Sequence, residues 1–166
     1  MRRSLLLAAL AAAAVAAGCV TAKVERDSQL TRGPAWRAEL VSAPGQTIHG
    51  SATVVPLRGD GRDLDSRSRV MLSLAGSTNG ASHVWHVHYG VCGSDGAIVG
   101  RARNYPPIPI GAAGAAQMSV EMPFVLNPGV RYFVHIHDAT GTGVGACGAL
   151  QPVTGQVVAA RATGER

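Results

Sequence analysis

The chain has no apolar run long enough to cross a bilayer as a helix, which takes about 20 consecutive residues. It also has no Gly-rich phosphate loop, no nucleophile elbow and no paired catalytic carboxylates. Nucleotide-dependent transfer, serine-type hydrolysis and glycosidase-like acid–base chemistry therefore find no machinery here. Cysteine is scarce, at three residues, and histidine numbers six. The formal charge is +5, and Arg2 and Arg3 contribute two of that, leaving 5 − 2 = +3 after the N-terminal segment is removed. So small an excess, on scattered Arg residues, argues against a nucleic-acid partner.

The first feature present is at the N-terminus. A short basic stretch, Met1-Arg2-Arg3, leads into an uncharged Leu/Ala/Val run from Leu5 to Ala17. The run has the length of a signal-peptide hydrophobic region. It ends in Ala16-Ala17-Gly18-Cys19, which resembles a bacterial lipobox. That resemblance implies lipidation of Cys19, which becomes the mature N-terminus. Val20 stands where Asp would signal retention at the inner membrane, so the expected location is the outer membrane, facing the periplasm. The arginine pair lacks the rest of a twin-arginine motif, so general secretion is the expected route. An ordinary signal peptide without lipid is the alternative. The organisation read from the sequence is a signal peptide over 1–18, a tether over 19–36, one β domain over 37–155 and a polar tail over 156–166.

Export fixes the redox compartment. With Cys19 assigned to the lipid, Cys92 and Cys147 remain as an even pair in an oxidising environment and are expected to form a disulfide. Two free thiols or thiolate metal ligands are the other reading.

The mature chain has few good helical stretches. Strands are expected over Ala38–Ser42, Thr47–Leu57, Val70–Leu74, His83–Tyr89, Met118–Leu126, Val130–His137 and Cys147–Val153. Gly59-Asp60-Gly61 with Asp63 and Asp65, then Ser77-Thr78-Asn79-Gly80, and Asn127-Pro128-Gly129 supply turns. Pro106, Pro107 and Pro109 keep that segment from being regular strand throughout. Short strands at this spacing, punctuated by Gly and Pro, predict an all-β, antiparallel sandwich or barrel.

Five of the six histidines fall in two of these strands. In His83-Val84-Trp85-His86-Val87-His88 the period of two puts His86 and His88 on one face, with Cα atoms about 6.5 Å apart. Phe133-Val134-His135-Ile136-His137 pairs His135 with His137 in the same way. Two His-x-His strands point to a metal, and imidazole-rich sites suit copper, zinc or nickel, with copper(II) favoured on the Irving–Williams order. His49 is alone on its strand and reads as structural. Trp85 lies on the opposite face and reads as core. Met118 and Met122 share a strand face, where they read as core packing, with copper(I) ligation as the other use.

The stretch from His83 to Cys92 resembles the copper-binding strand of Cu,Zn superoxide dismutases, His-Gly-Phe-His-Val-His followed by Gly and Cys. Cys147-Gly148-Ala149-Leu150 is similar to that family's closing Cys-Gly-Val-Ile, and Val134–Asp138 is similar to its Val-His-Glu strand. The resemblance implies a Greek-key β-sandwich or barrel, one copper per chain, and copper ligands His86, His88 and His137, with His135 as the alternative register or a fourth ligand. It also implies that His83 is structural. No histidine occurs between Tyr89 and Val134, so the family's zinc subsite is absent. Val144 stands in place of its active-site arginine, and the loop from His137 to Cys147 is short. Arg101 or Arg103, in the proline-rich segment, is the candidate replacement cation. Tyr132–His137 also resembles the Tyr-Val-Asn-Ile-His strand of chordin-type domains. Three functions follow as expectations. The first is a copper-only dismutase acting on superoxide, with His86, His88 and His137 catalytic. The second is a non-catalytic periplasmic copper-binding or delivery protein. The third is a binding or structural module whose histidines only satisfy the core.

Overall fold

A computed structural model describes residues 34–57 and 66–153. The signal segment, Cys19, nearly all of the tether, the Gly59–Asp65 turn and the C-terminal tail lie outside the described residues.

Among the described residues nine strands follow in order: β1 (Ala35–Ser42), β2 (His49–Pro56), β3 (Ser68–Ala75), β4 (Ser82–His83), β5 (Trp85–Tyr89), β6 (Ile108–Pro109), β7 (Ala116–Met122), β8 (Tyr132–His137) and β9 (Val144–Val153). A 3₁₀ turn, Ala102–Asn104, interrupts them. Seven strands form one antiparallel sheet in the order β5-β8-β9-β1-β2-β3-β7, and β4 pairs with β6 apart from it. Within the large sheet β9 returns beside β1 while β1, β2 and β3 run as a meander. The spatial order is thus fourth-first-second-third, a Greek key. The expected all-β, antiparallel Greek-key class is the one observed.

The pattern that builds the sheet is alternation. In β1 Trp36, Ala38 and Leu40 are buried while Arg37, Glu39 and Val41 are exposed. In β3 Val70, Leu72 and Leu74 are buried. These residues join Trp85, Val87, Val134, Ile136, Met122 and Leu150 in one core. Fully burying an aliphatic side chain of this kind is worth about 1.5–3 kcal/mol against leaving it in water. Met122 is completely buried and Met118 packs against the core, so both methionines pack.

Several boundaries differ from the sequence reading, each for a local reason. The strand expected over His83–Tyr89 breaks at Val84: His83 pairs with Ile108, while Trp85 begins the pairing with β8. The strand expected to run from Met118 to Leu126 stops at Met122, because Pro123 has no N–H to donate to a ladder. The last strand starts earlier than expected, at Val144, and the β8–β9 register shifts between Ile136 and His137. The shift is a bulge at Gly145, of the kind that bends a strand and re-aims the side chains beside it.

Candidate metal centre

Strand β5 directs Trp85 and Val87 into the core and turns His86 and His88 to the other face. Strand β8 lies antiparallel to it, with Cα partners Trp85↔Ile136, His86↔His135, Val87↔Val134 and His88↔Phe133. Residues directly opposite in an antiparallel pair share a face. His86, His88, Phe133 and His135 therefore stand together, and His137 joins them at the bulge. All four histidines of the two His-x-His strands are gathered.

The rings are in contact. His86 lies 5.6 Å from His88 and 5.4 Å from His137 by ring centroid, both edge to face. His135 is 5.8 Å from His88 and stacks on His137 at 4.3 Å. His137 Nε2 and His86 Nδ1 share a hydrogen bond of 3.3 Å. Phe133 stacks on His88 at 5.0 Å.

Proton positions follow from the partners. His88 Nδ1 lies 2.7 Å from the Gly96 carbonyl. A carbonyl only accepts, so Nδ1 carries a proton, and Nε2 is the nitrogen left without that bond. That Nε2, together with His135 Nε2 and His137 Nδ1, is buried without a hydrogen-bond partner among the described residues. Three orphaned nitrogens in one cluster are costly unless something pairs with them. Burial, reinforced by the neighbouring imidazoles His137 and His88, lowers the His86 pKa to about 4. Burial, with His137, His88 and His86 adding to it, lowers His135 to about 4. His137 is lowered by burial and by His88, against an opposing pull from Asp138. At neutral pH these three rings are therefore uncharged, the form that ligates metals.

A shell of other residues fixes the cluster. The segment after β5 folds back along that strand's free edge, with Tyr89 N–H donating to Ala97 O and Val99 N–H to Val87 O. The Cys92–Cys147 disulfide ties this segment to β9, where Cys147 is the Cα partner of His135. The even-pair reading of the cysteines holds. On the other side His83 donates from Nδ1 to the His137 carbonyl at 2.8 Å and accepts at Nε2 from Ser77 Oγ. His83 is buried and structural. His49 is exposed and bonds to the Thr47 carbonyl, away from the cluster. Trp85 donates to Pro106 O from within the core.

Two neighbours were invisible to sequence reasoning. Tyr105 packs its ring against His86 at 5.1 Å and donates from its hydroxyl to Val99 O. Gly96 supplies the carbonyl for His88. Both arrive from a loop whose path no local pattern encodes. Phe133, by contrast, was within reach of the alternation argument, two residues before His135 on the same face.

The rim is apolar. Val144 is the Cα partner of His137, Val84 accepts the His137 amide, and both are exposed. Among the described residues no hydrogen bond or ion pair brings Arg101 or Arg103 to the histidines.

The donor set fits a metal that prefers imidazole, with four rings on one face and buried lone pairs otherwise unused. The separations are those of rings packed on each other. Among the described residues no group of three or more His, Cys, Asp or Glu side chains already stands in metal-holding geometry.

No protein-family profile matches the chain, and no curated protein matches it. Among solved structures it is similar to a point variant of superoxide dismutase 5 from Candida albicans, with a TM-score of 0.46 and 13% identity over 76% of this chain and 96% of that one.

Proposed function

We propose that this chain is an exported copper-binding lipoprotein with a superoxide dismutase-like, copper-only site. The supporting observation is the four-imidazole face of β5 and β8, with three buried nitrogens that no protein group satisfies. His86, His88 and His137 would hold the metal, and His135 is the fourth donor available. Copper is favoured over zinc by the all-imidazole donor set and the Irving–Williams order. Bound there, copper would supply one-electron chemistry, cycling between two oxidation states as superoxide is alternately oxidised to oxygen and reduced to hydrogen peroxide.

The chain's own residues do the rest. The Gly96 carbonyl fixes the His88 tautomer, so that Nε2 faces the site. This second-sphere bond is the kind that orients metal-binding histidines. His83 holds the backbone of His137 in place beside the bulge. Phe133 and Tyr105 cover two of the rings and limit water around them.

A second reading, copper handling without catalysis, is favoured by Val144. An exposed valine stands beside His137 where the resembled family carries a cation, and cationic steering of an anion can be worth about 10 to 1,000-fold in on-rate. Cys19 as lipid anchor and the outer membrane as location complete the proposal, on the sequence features of residues 1–20.

The deciding experiment titrates copper into the purified, disulfide-intact mature protein and follows superoxide dismutation at each step. Activity that saturates at one copper per chain and vanishes in folded His88→Ala establishes the dismutase. Tight uptake without dismutation moves the function to copper handling. An identical melting temperature with copper and with chelator would sink both readings, because a ligand selective for the native state must stabilise it.

A further inference from the structure

Tyr105 lies outside both His-x-His strands, yet it touches the cluster at His86 and bonds to the segment beside it. Its ring meets His86 edge to face at 5.1 Å. Its hydroxyl donates to Val99 O at 2.6 Å, and the Val99 amide in turn donates to Val87 O at 2.8 Å, between His86 and His88. The neighbouring Ile98 bridges His88, and Gly96, two residues earlier, accepts the His88 proton. The ring is itself immobilised, edge to face with Trp85 at 4.9 Å and stacked on Phe124 at 6.4 Å. One buried phenol thus packs against the first histidine of the pair and clamps the segment that orients the second.

We infer that Tyr105 is a positioning residue for the copper site, its ring setting the plane of His86 and its hydroxyl holding the 96–99 segment against β5. This rests on the copper reading proposed above. The aromatic contact is edge to face, the arrangement aromatic rings prefer, and a side chain without a ring cannot reproduce it. Outer-sphere partners of metal-binding histidines typically change affinity about 10–100-fold when removed.

The experiment compares full mature chains carrying Tyr105→Leu, Tyr105→Phe and Phe124→Leu. Copper(II) affinity is measured by competition with a chelator of known strength, and the copper(II) EPR spectrum is recorded for each. Tyr105→Leu is expected to bind copper about tenfold more weakly or worse, with a shifted spectrum. Tyr105→Phe keeps the ring and loses only the clamp, so its affinity should fall less than that of Tyr105→Leu, while the Val99 amide exchanges faster; a Val99 amide that exchanges as in wild type overturns the hydroxyl's part. Phe124→Leu disturbs the same aromatic group without touching His86, and it should lower the melting temperature while leaving affinity and spectrum unchanged. The inference is overturned if Tyr105→Leu binds like wild type, or if Phe124→Leu shifts affinity and spectrum as much. Should Tyr105→Leu fail to fold, Tyr105→Met, longer and more flexible, takes its place under the same criteria.

A wild-type protein that takes up no copper refutes the copper reading, and the role of Tyr105 is then read in metal-free protein. Long-range ¹H–¹⁵N spectra should show one sharp His86 tautomer in wild type and Tyr105→Phe, and an averaged one in Tyr105→Leu. Identical His86 signals in all three overturn the inference independently of copper.

Discussion

Replacing both Cys92 and Cys147 by alanine separates what the disulfide does to the unfolded chain from what it does to the site. The crosslink spans 55 residues. The chain-entropy model values closure of a loop that long at about 4 kcal/mol, exerted through the unfolded state. In a β domain of this size that is a loss of roughly 15–20 °C in melting temperature. The native loop has other anchors: Tyr89 N–H to Ala97 O, Val99 N–H to Val87 O and His88 Nδ1–H to Gly96 O. Each such bond contributes about 1 kcal/mol net, so together they hold the segment on β5 without the crosslink. The double variant should therefore unfold at much lower urea or temperature, measured in chelator, while its copper affinity at 25 °C falls by less than about tenfold. The refuting result is the reverse pattern: a stability loss under about 1 kcal/mol with a hundredfold loss of affinity. The disulfide would then be shaping the native site and not constraining the unfolded chain.

Acid should weaken the metal-free fold. The folded pKa values of His86 and His135 lie near 4, below the ordinary 6.5, so the unfolded chain binds more protons between those limits. Their contribution is complete above about pH 6.5 and is lost as pH falls to about 4. Urea midpoints taken at constant ionic strength should decline across that window, and a flat profile would contradict the neutral-imidazole assignment. A methyl group at position 96 would collide with the Tyr89 carbonyl oxygen. Gly96→Ala should accordingly push the loop off β5 and weaken copper binding about tenfold or more, as chelator competition would show. Met122 is completely buried, and Met122→Ala should cost about 2–5 kcal/mol in chemical denaturation. Copper affinity of the folded fraction should stay unchanged, since the methionine serves the core and not the metal.

What the sequence exposed and what it hid divide along one physical line. Features fixed by the chain's local period were legible. Two-residue alternation puts His86 with His88 and His135 with His137 on shared faces, Trp85 in the core, and the short β elements between Gly and Pro turns. The even cysteine count after Cys19 pointed to the Cys92–Cys147 bond. Features fixed by pairing between distant segments were not legible. Nothing in either His-x-His strand states that His86 lies opposite His135 and not opposite His137; that register comes from the whole β5–β8 ladder. Nor does a strand-like run from His83 to Tyr89 show that the chain changes sheets at Val84, a break enforced by His83 pairing with Ile108 and bonding the His137 carbonyl.

The break at Val84 and the bulge at Gly145 serve the same end from opposite sides. The first releases His83 from the β5 face so that it can bond to the backbone of His137. The second inserts a residue in β9 opposite that same histidine and leaves Val144 beside it. Without the bulge, β9 would continue in flat register past His137. At the break, buried His83 donates to the His137 carbonyl. His137 is thus the ring whose position depends most on irregular structure, whereas His86 and His88 follow from a regular strand. It is also the ring that shares a hydrogen bond with His86 and a stack with His135. Regular β5–β8 pairing therefore places His86, His88 and His135, and the fourth ring sits where the sheet departs from regularity.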